Sequence, residues 1–231
     1  MEMTESMIAV QSICSETKTK KQVAYDIIKS QIISHQLKPG TMLIERKLCN
    51  QLNISRTPVR EALQQLVAEG MVTNIPPKGC MVNEIRYEEI AKIYDVRTYL
   101  EGLGARLSAA CITADQIARL RALVVRMERY LEELDFTNLF EVDNIFHAAI
   151  LEYSKNDLLL NIYNTFLGAQ VMRINHLNRE QPDQLYELHR YHTFVIDALE
   201  AGDADKSEQM IREHIQNSKK RLLYKFMPNN L

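Results

Sequence analysis

An aspartate and three histidines lie on the apolar faces of helix-forming segments in the C-terminal half of the sequence. Asp143 and His147 are four residues apart, so in a helix both side chains point in the same direction. His192 and His214 each lie among apolar residues in two later segments of helical periodicity. One carboxylate and three imidazoles suit zinc, nickel, manganese or iron, and leave coordination positions for a ligand or water. The pattern therefore predicts a divalent transition-metal site inside a helical core.

Two other histidines are alternatives within this ligand set. His189 is three residues from His192 and therefore near the same helix face, and His176 is a second substitute. A single histidine in a core is more often hydrogen-bonded than bound to a metal, so a cluster held by hydrogen bonds alone is the competing interpretation. The sequence leaves the choice among these arrangements open.

A second group of residues has the chemistry needed to bind nucleic acid. Arg56 and Arg60 are four apart on one helix face, and arginine can pair bidentately with guanine or with a phosphate. Ser55 and Thr57 lie at the start of the same helix, where hydroxyl groups and free backbone N–H groups can bond phosphate. The competing interpretation is a set of ordinary surface arginines on a helical hairpin.

The elements around these residues follow the order of a winged helix-turn-helix. Apolar periodicity predicts two helices and then a third, the recognition helix, which ends at Gly70. Two β-prone runs after it predict a small hairpin with a basic tip. On this outline Arg46 would lie near the DNA backbone, and Lys78 and Gly79 at the hairpin tip could enter the minor groove.

Charge and composition divide the chain in the same way. Residues 18–80 have a net charge of +6, whereas the whole chain of 231 residues has −2, so the remainder carries −8. A basic module on an acidic body indicates that one part meets a polyanion and the other does not. The four cysteines are dispersed, no apolar run is long enough to span a membrane, and the acidic N-terminus lacks the basic region of a signal peptide. We therefore expect a cytoplasmic protein with free thiols and no membrane partner.

From residue 87 onward the pattern is helical throughout. Six helices with short links predict a compact antiparallel bundle, and Thr113 followed by Gln116 predicts a capping box. The fourth of these helices is expected to be capped by Asn156 and to continue to about residue 176. The expected fold is mainly α, with an N-terminal winged helix-turn-helix and a C-terminal all-α antiparallel helical bundle. The expected domains are a flexible tail over 1–17, a DNA-binding domain over 18–85, and an effector- and metal-binding domain over 87–226.

The N-terminal motifs resemble the DNA-binding domain of the GntR superfamily. The matching segments are residues 37–48 (LKPGTMLIERKL), 55–70 (SRTPVREALQQLVAEG) and 77–79 (PKG). Cys49 stands where a small alanine is usual, and it behaves as a small hydrophobe at a core-facing position. The resemblance implies operator contacts from Arg46, Ser55, Arg56, Thr57, Arg60 and Gly79, to which the basic hairpin tip adds Lys78.

The C-terminal motifs are similar to the FCD ligand-binding domain of FadR-type GntR regulators. The matching segments are residues 94–101 (YDVRTYLE), 143–150 (DNIFHAAI), 192–203 (HTFVIDALEAGD) and 210–214 (MIREH). The resemblance implies that the metal ligands are Asp143, His147, His192 and His214.

The same resemblance implies an effector-binding residue. Arg97 would face the cavity and hold the carboxylate of a small organic acid, with Asn144 and Arg173 as further pocket candidates. The alternative for Arg97 is an ion pair with Glu101, which lies four residues further along the same helix.

These resemblances together imply a homodimeric transcription regulator, most simply a repressor. Two recognition helices would bind half-sites of a pseudo-palindromic operator duplex, and an organic acid on the metal would control that binding. One alternative is a structural metal site with constitutive DNA binding, and another is a metal-dependent enzyme. We expect no enzyme, because no Glu or Asp is placed as a general base beside the ligands as it is in an HExxH helix.

Overall fold

The computed structural model describes residues 18–176 and 182–225 of the chain. Within these residues the protein is mostly helical with one small sheet, which confirms the mainly α prediction. The tail expected over residues 1–17 and the expected end of the bundle at residue 226 lie outside the described residues.

The N-terminal part contains three helices and a small antiparallel sheet. These elements confirm the predicted winged helix-turn-helix, and strand β1 is an addition that is too short to leave a periodic pattern. The strand order is β1–β3–β2, with Leu43 opposite Cys80 and Val72 opposite Val82. The elements are α1 (Lys20–Ile33), β1 (Met42–Leu43), α2 (Glu45–Leu52), α3 (Arg56–Ala68), β2 (Val72–Ile75) and β3 (Gly79–Val82).

Residues with special backbone geometry define the start of α3 and the wing, which is the hairpin of β2 and β3. Asn53 adopts the left-handed conformation (φ 53°, ψ 41°) that closes the turn between α2 and α3. Ser55 is the extended N-cap residue of α3, and its side chain makes no capping hydrogen bond. Gly79 has φ +116°, and a Cβ there would lie 2.6 Å from the carbonyl oxygen of Leu43. The wing therefore requires glycine at this position.

The C-terminal part is an antiparallel array of helices. The predicted capping box of Thr113 and Gln116 is confirmed at the start of α5. The helix predicted to run from residue 156 to residue 176 is instead divided by a π-helical turn over Tyr163–Leu167. The helices are α4 (Tyr87–Ala109), α5 (Ala114–Glu132), α6 (Phe136–Tyr153), α7 (Asp157–Ile162), α8 (Gly168–His176), α9 (Pro182–Glu200) and α10 (Ala204–Lys225).

Two large apolar cores hold these parts, α8 connects them, and a smaller cluster lies around Leu151 and Tyr163. The bundle core includes Leu120, Phe146 and Ile211, and it lies among α4, α5, α6, α9 and α10. The core of the winged helix-turn-helix includes Val59, and Ala169 of α8 is packed into it. Over the described residues, every helix is too short or too polar to cross a lipid bilayer.

Candidate metal centre and nucleic-acid interface

Three helices bring the predicted ligand set together inside the bundle. Helix α6 carries Asp143 and His147, α9 carries His192, and α10 carries His214. One ligand atom from each residue lies within 4.8 Å of all the others, and the three imidazoles are buried. Ligand atoms around a single transition-metal ion are separated by roughly 3–4 Å, given metal–nitrogen bonds of about 2 Å. The widest separation in the cluster is somewhat larger than this range, so a small inward movement of the side chains would bring all four to one ion.

The contacts inside the cluster also fit a metal better than a hydrogen-bonded network. Nε2 of His147 and Nε2 of His214 face each other at 3.3 Å. Nε2 of His192 is 3.0 Å from Oδ1 of Asp143, yet it has no hydrogen-bond partner of acceptable geometry among the described residues. Buried nitrogens normally have a partner, and a shared ion is one partner that these converging nitrogens could hold.

Groups behind the imidazoles orient them. Nδ1 of His192 is 3.1 Å from the main-chain oxygen of His189, so an Nδ1–H donor leaves the Nε2 lone pair free for a metal. Nδ1 of His147 is 2.5 Å from Oε2 of Glu101. A carboxylate behind a metal-bound histidine fixes its tautomer and raises its basicity. From the sequence, Glu101 is expected only as a partner of Arg97, although it lies within the FCD-like segment 94–101.

Burial and neighbouring charges favour the protonation states that bind metals. Burial, followed by the charges of His192 and His147, lowers the pKa of His214 well below its usual range. Burial would raise the pKa of Asp143, but the three imidazoles outweigh burial and hold that pKa well below its usual range. Metals bind neutral imidazole and ionised carboxylate, which are the forms that these shifts stabilise.

The two substitute histidines do not enter the four-residue cluster. His189 lines the same cavity, and its Nε2 lies 3.6 Å from the exposed Glu128. Burial, followed by the charge of His192, lowers the pKa of His189 to about 4. The side chain of His176 lies outside the described part of the structure.

A small cavity of about 40 Å³ adjoins the cluster. One water needs about 10–15 Å³, so this space admits only a few atoms. Arg97 lines the cavity and is buried. Its Nε donates to Oε1 of Glu101, whereas its Nη2 has no hydrogen-bond partner in the described residues. Arg97 therefore forms the ion pair and still presents a free donor. Sequence reasoning missed three further polar residues of the lining, namely Asn175, Ser218 and Arg221.

Two predicted pocket residues require correction. Asn144 is not among the described residues that line the cavity, and its Oδ1 accepts a hydrogen bond of 2.9 Å from Tyr163. The residue after Asp143 on a helix points about 100° away from it, which directs Asn144 toward the π-helical turn. Arg173 is buried elsewhere, because α8 turns it toward the winged helix-turn-helix. Its Nη2 donates to the main-chain oxygen of Asn83 at 2.6 Å, beside the junction of the two parts.

Six of the seven residues predicted to contact DNA are exposed on the N-terminal part. Helix α3 begins at Arg56, and its N-cap side chain is free to meet a phosphate. Arg60 is bonded to Glu45, which the sequence analysis did not consider as a partner. Gly79 is half-buried at the wing. The exposed members of the predicted set are Arg46, Ser55, Arg56, Thr57, Arg60 and Lys78.

The protein joins a winged helix-turn-helix with exposed arginines to a helical bundle that contains a ligand cluster. This combination is typical of DNA-binding regulators. Comparison with known families specifies the class further. Residues 20–82 match the family described as bacterial regulatory proteins, gntR family, and residues 92–217 match the FCD domain. The second match alone covers more than half of the chain. The chain belongs to the GntR family of transcription regulators with an FCD domain, and it is not an enzyme.

Individual relatives agree with this assignment. The chain is 27% identical to the HTH-type transcriptional repressor RspR of Escherichia coli K12 over 209 residues, which is 90% of this chain and 91% of RspR. It is 29% identical to a probable D-xylose utilization operon transcriptional repressor of Paenarthrobacter nicotinovorans, over 90% of this chain and 91% of that one. The solved structure of E. coli McbR/YncC is similar with a TM-score of 0.80 and 25% identity, over 91% of this chain and 100% of that one.

Proposed function

We propose that this regulator is a homodimeric repressor whose affinity for operator DNA is controlled by a small organic acid. The acid would bind to a divalent transition-metal ion held by Asp143, His147, His192 and His214. The observation that carries the proposal is the free Nη2 donor of Arg97, which lines the same cavity as the ligand cluster. Repression is the mode named for two of the relatives described above.

A carboxylate suits this cavity for electrostatic reasons. A bound divalent ion would supply positive charge and open coordination positions for an oxygen ligand. Arg97 adds a guanidinium whose partner Glu101 uses only Nε, so Nη2 can donate a charge-assisted hydrogen bond to the same ligand. The volume of about 40 Å³ favours a short acid. The alternative of a purely structural metal leaves this free donor without a role.

In this proposal, residues 87–226 bind the effector and residues 18–85 bind DNA. Effector binding would therefore change the affinity of the N-terminal part for the operator. In a two-fold dimer, two copies of α3 would enter half-sites of a pseudo-palindromic operator. The acid must bind one arrangement of the DNA-binding parts more tightly than the other, because equal affinity would shift nothing. A coupling of about 1–3 kcal/mol would change operator affinity by about 5–150-fold.

Thermal melting of the metal-loaded protein against a panel of short organic acids tests this proposal. We expect one acid to raise the melting temperature and to reduce operator retardation, and we expect a chelator to remove both effects. A metal-loaded protein whose melting and operator binding respond to none of the acids would contradict the effector site and favour a structural metal.

A matched pair of histidine variants tests the ligand set. We expect His192→Ala to lose the metal from protein purified without a histidine tag, because its Nε2 points into the cluster. His189→Ala is the control, since His189 lines the cavity outside the four-residue cluster. Metal content per chain checks both variants. Full metal content in His192→Ala, with loss in His189→Ala, would reverse the assignment.

A further inference from the structure

The carboxylate of Glu45 lies against the arginines of the recognition helix α3. Arg60 donates from Nε to Oε1 and from Nη2 to Oε2, and both distances are 2.9 Å. Nε of Arg56 is 4.0 Å from Oε2, which is an ion pair without a hydrogen bond. Two parallel hydrogen bonds fix the plane of a guanidinium. Glu45 therefore orients Arg60, whereas Arg56 keeps its rotational freedom.

The pair of hydrogen bonds to Glu45, called the fork below, leaves one edge of the Arg60 guanidinium free to contact DNA. Glu45 occupies the N–H of Nε and one N–H of Nη2, so Nη1 and the outer N–H of Nη2 remain. The Nη1–Nη2 edge has the spacing for a bidentate contact with O6 and N7 of guanine. The Arg60 side chain is 54% exposed, so this edge is accessible.

Glu45 also weakens the electrostatic attraction of Arg60 for phosphate. The hydrogen bonds from Arg60, which outweigh the effect of burial, lower the pKa of Glu45, so its carboxylate is ionised at neutral pH. An ionised partner cancels most of the guanidinium's net charge at a distance. Non-specific binding to DNA depends on that charge, whereas base recognition depends on donor geometry. A neutralised but oriented arginine therefore suits base recognition.

We propose that Glu45 is a specificity-determining positioning residue, which directs Arg60 to base edges rather than to phosphates. The inference rests on the DNA binding of the proposed function and is independent of its metal and effector. The simpler role for Glu45 is that of an acid in the first turn of α2, where it stabilises the helix dipole. A substitution that keeps the acid but changes its reach separates the two roles.

The experiment compares specific and non-specific DNA on the full-length protein. The specific probe is a duplex enriched from random-sequence DNA by the wild-type protein, and the non-specific probe is a shuffled duplex of the same composition. Fluorescence anisotropy over a range of salt concentrations gives dissociation constants for wild type, Glu45→Gln, Glu45→Asp, Arg60→Ala and the double variant Glu45→Gln/Arg60→Ala. Glu61→Gln, which removes the same charge from the exposed residue beside Arg60, is the matched control.

We expect Glu45→Gln to lower the ratio of specific to non-specific affinity about tenfold, which is a typical discrimination for one bidentate base contact. On the shuffled duplex, the slope of log affinity against log salt should steepen by about 0.9, as for one added phosphate contact. Glu45→Asp should also lower the ratio, because the shorter side chain cannot form the same fork. In the Arg60→Ala background the Gln substitution should leave the ratio unchanged.

Three results would overturn the inference. The ratio could remain at the wild-type value in Glu45→Gln, fall equally in Glu61→Gln, or fall again in the Arg60→Ala background. Each of these results would mean that Glu45 acts only through its charge or by stabilising the start of α2, and not by orienting Arg60. A wild-type protein that enriches no duplex would contradict the DNA-binding proposal itself, so the two failures are distinguishable.

Discussion

The ligand cluster and the DNA-facing arginines differ in how deeply their functional groups are buried and in how many helices supply them. His147 and His214 are at most 4% exposed, and the cluster is assembled from three different helices, α6, α9 and α10. Arg56 and Arg60 have side chains that are 65% and 54% exposed on a single helix. Removing a partner inside the cluster leaves a buried polar group unpaired, whereas removing an exposed arginine costs only its own contact. The comparison predicts that substitutions in the bundle change metal binding and that substitutions on α3 change DNA binding.

The largest of the remaining effects is expected from Glu101, which supports the cluster without belonging to it. Glu101→Gln removes the carboxylate that lies 2.5 Å from Nδ1 of His147, and such partners typically contribute 10–100-fold to metal affinity. We therefore expect zinc affinity, measured by competition with a chromophoric chelator, to fall by about that factor. Operator affinity in the absence of an acid should not change.

Glu128→Gln is the control for this prediction. Its carboxylate lies 3.6 Å from Nε2 of His189 but is 54% exposed, and His189 lies outside the cluster. Zinc affinity should be the same as in wild type. Equal losses in both variants would mean that general electrostatics, rather than orientation of His147, determines metal affinity.

An effect of the same order, but on DNA binding, is expected on the exposed side of the molecule. Arg60→Ala and Arg56→Ala should each weaken operator binding by about 1–3 kcal/mol, as for a single base or phosphate contact. Metal affinity should be unchanged, because neither side chain touches the bundle core. Gel retardation of operator DNA measures the first quantity and chelator competition the second. Unchanged retardation in both variants would contradict the assignment of α3 as the recognition helix.

The sequence predicted the ligand cluster because helical spacing constrains it. Asp143 and His147 share a face wherever α6 lies, and the polar positions of His192 and His214 on apolar faces indicated burial. The role of Glu101 could not be predicted from spacing alone. Its contact with His147 depends on how α4 packs against α6, which is a tertiary feature.

The incorrect placement of Arg173 in the pocket has a physical origin in the π-helical turn. A π-helical turn closes over one more residue than an α-helical turn, and one extra residue is too small a change to be seen in the apolar pattern over residues 156–176. The turn nevertheless changes the direction in which α8 presents its side chains. Arg173 therefore lies near Asn83 rather than in the ligand cavity. The resemblance could not correct this, because it assigned a residue type and not a helix rotation.

The smallest predicted effect concerns this connection between the two regions. Arg173 is 2% exposed, its Nη1 donates to Gln170, and its Nη2 donates to the main-chain oxygen of Asn83 at the end of the wing. Burial lowers its pKa to about 10, so the guanidinium remains charged at neutral pH. Gln170 in turn donates to the main-chain oxygen of Glu69 at the end of α3. These side chains on α8 therefore connect the bundle to the recognition helix and the wing.

Arg173→Met keeps the length of the side chain but removes its hydrogen bonds. We expect it to reduce the effector-induced change in operator affinity by about 0.5–2 kcal/mol, a typical effect for a residue that links two sites. Binding of zinc and of unliganded operator should stay near wild type, because Arg173 touches neither the cluster nor the DNA-facing side. Arg119→Met, on the exposed side of α5, is the control. A full effector response in Arg173→Met would mean that the two regions communicate through contacts other than this one.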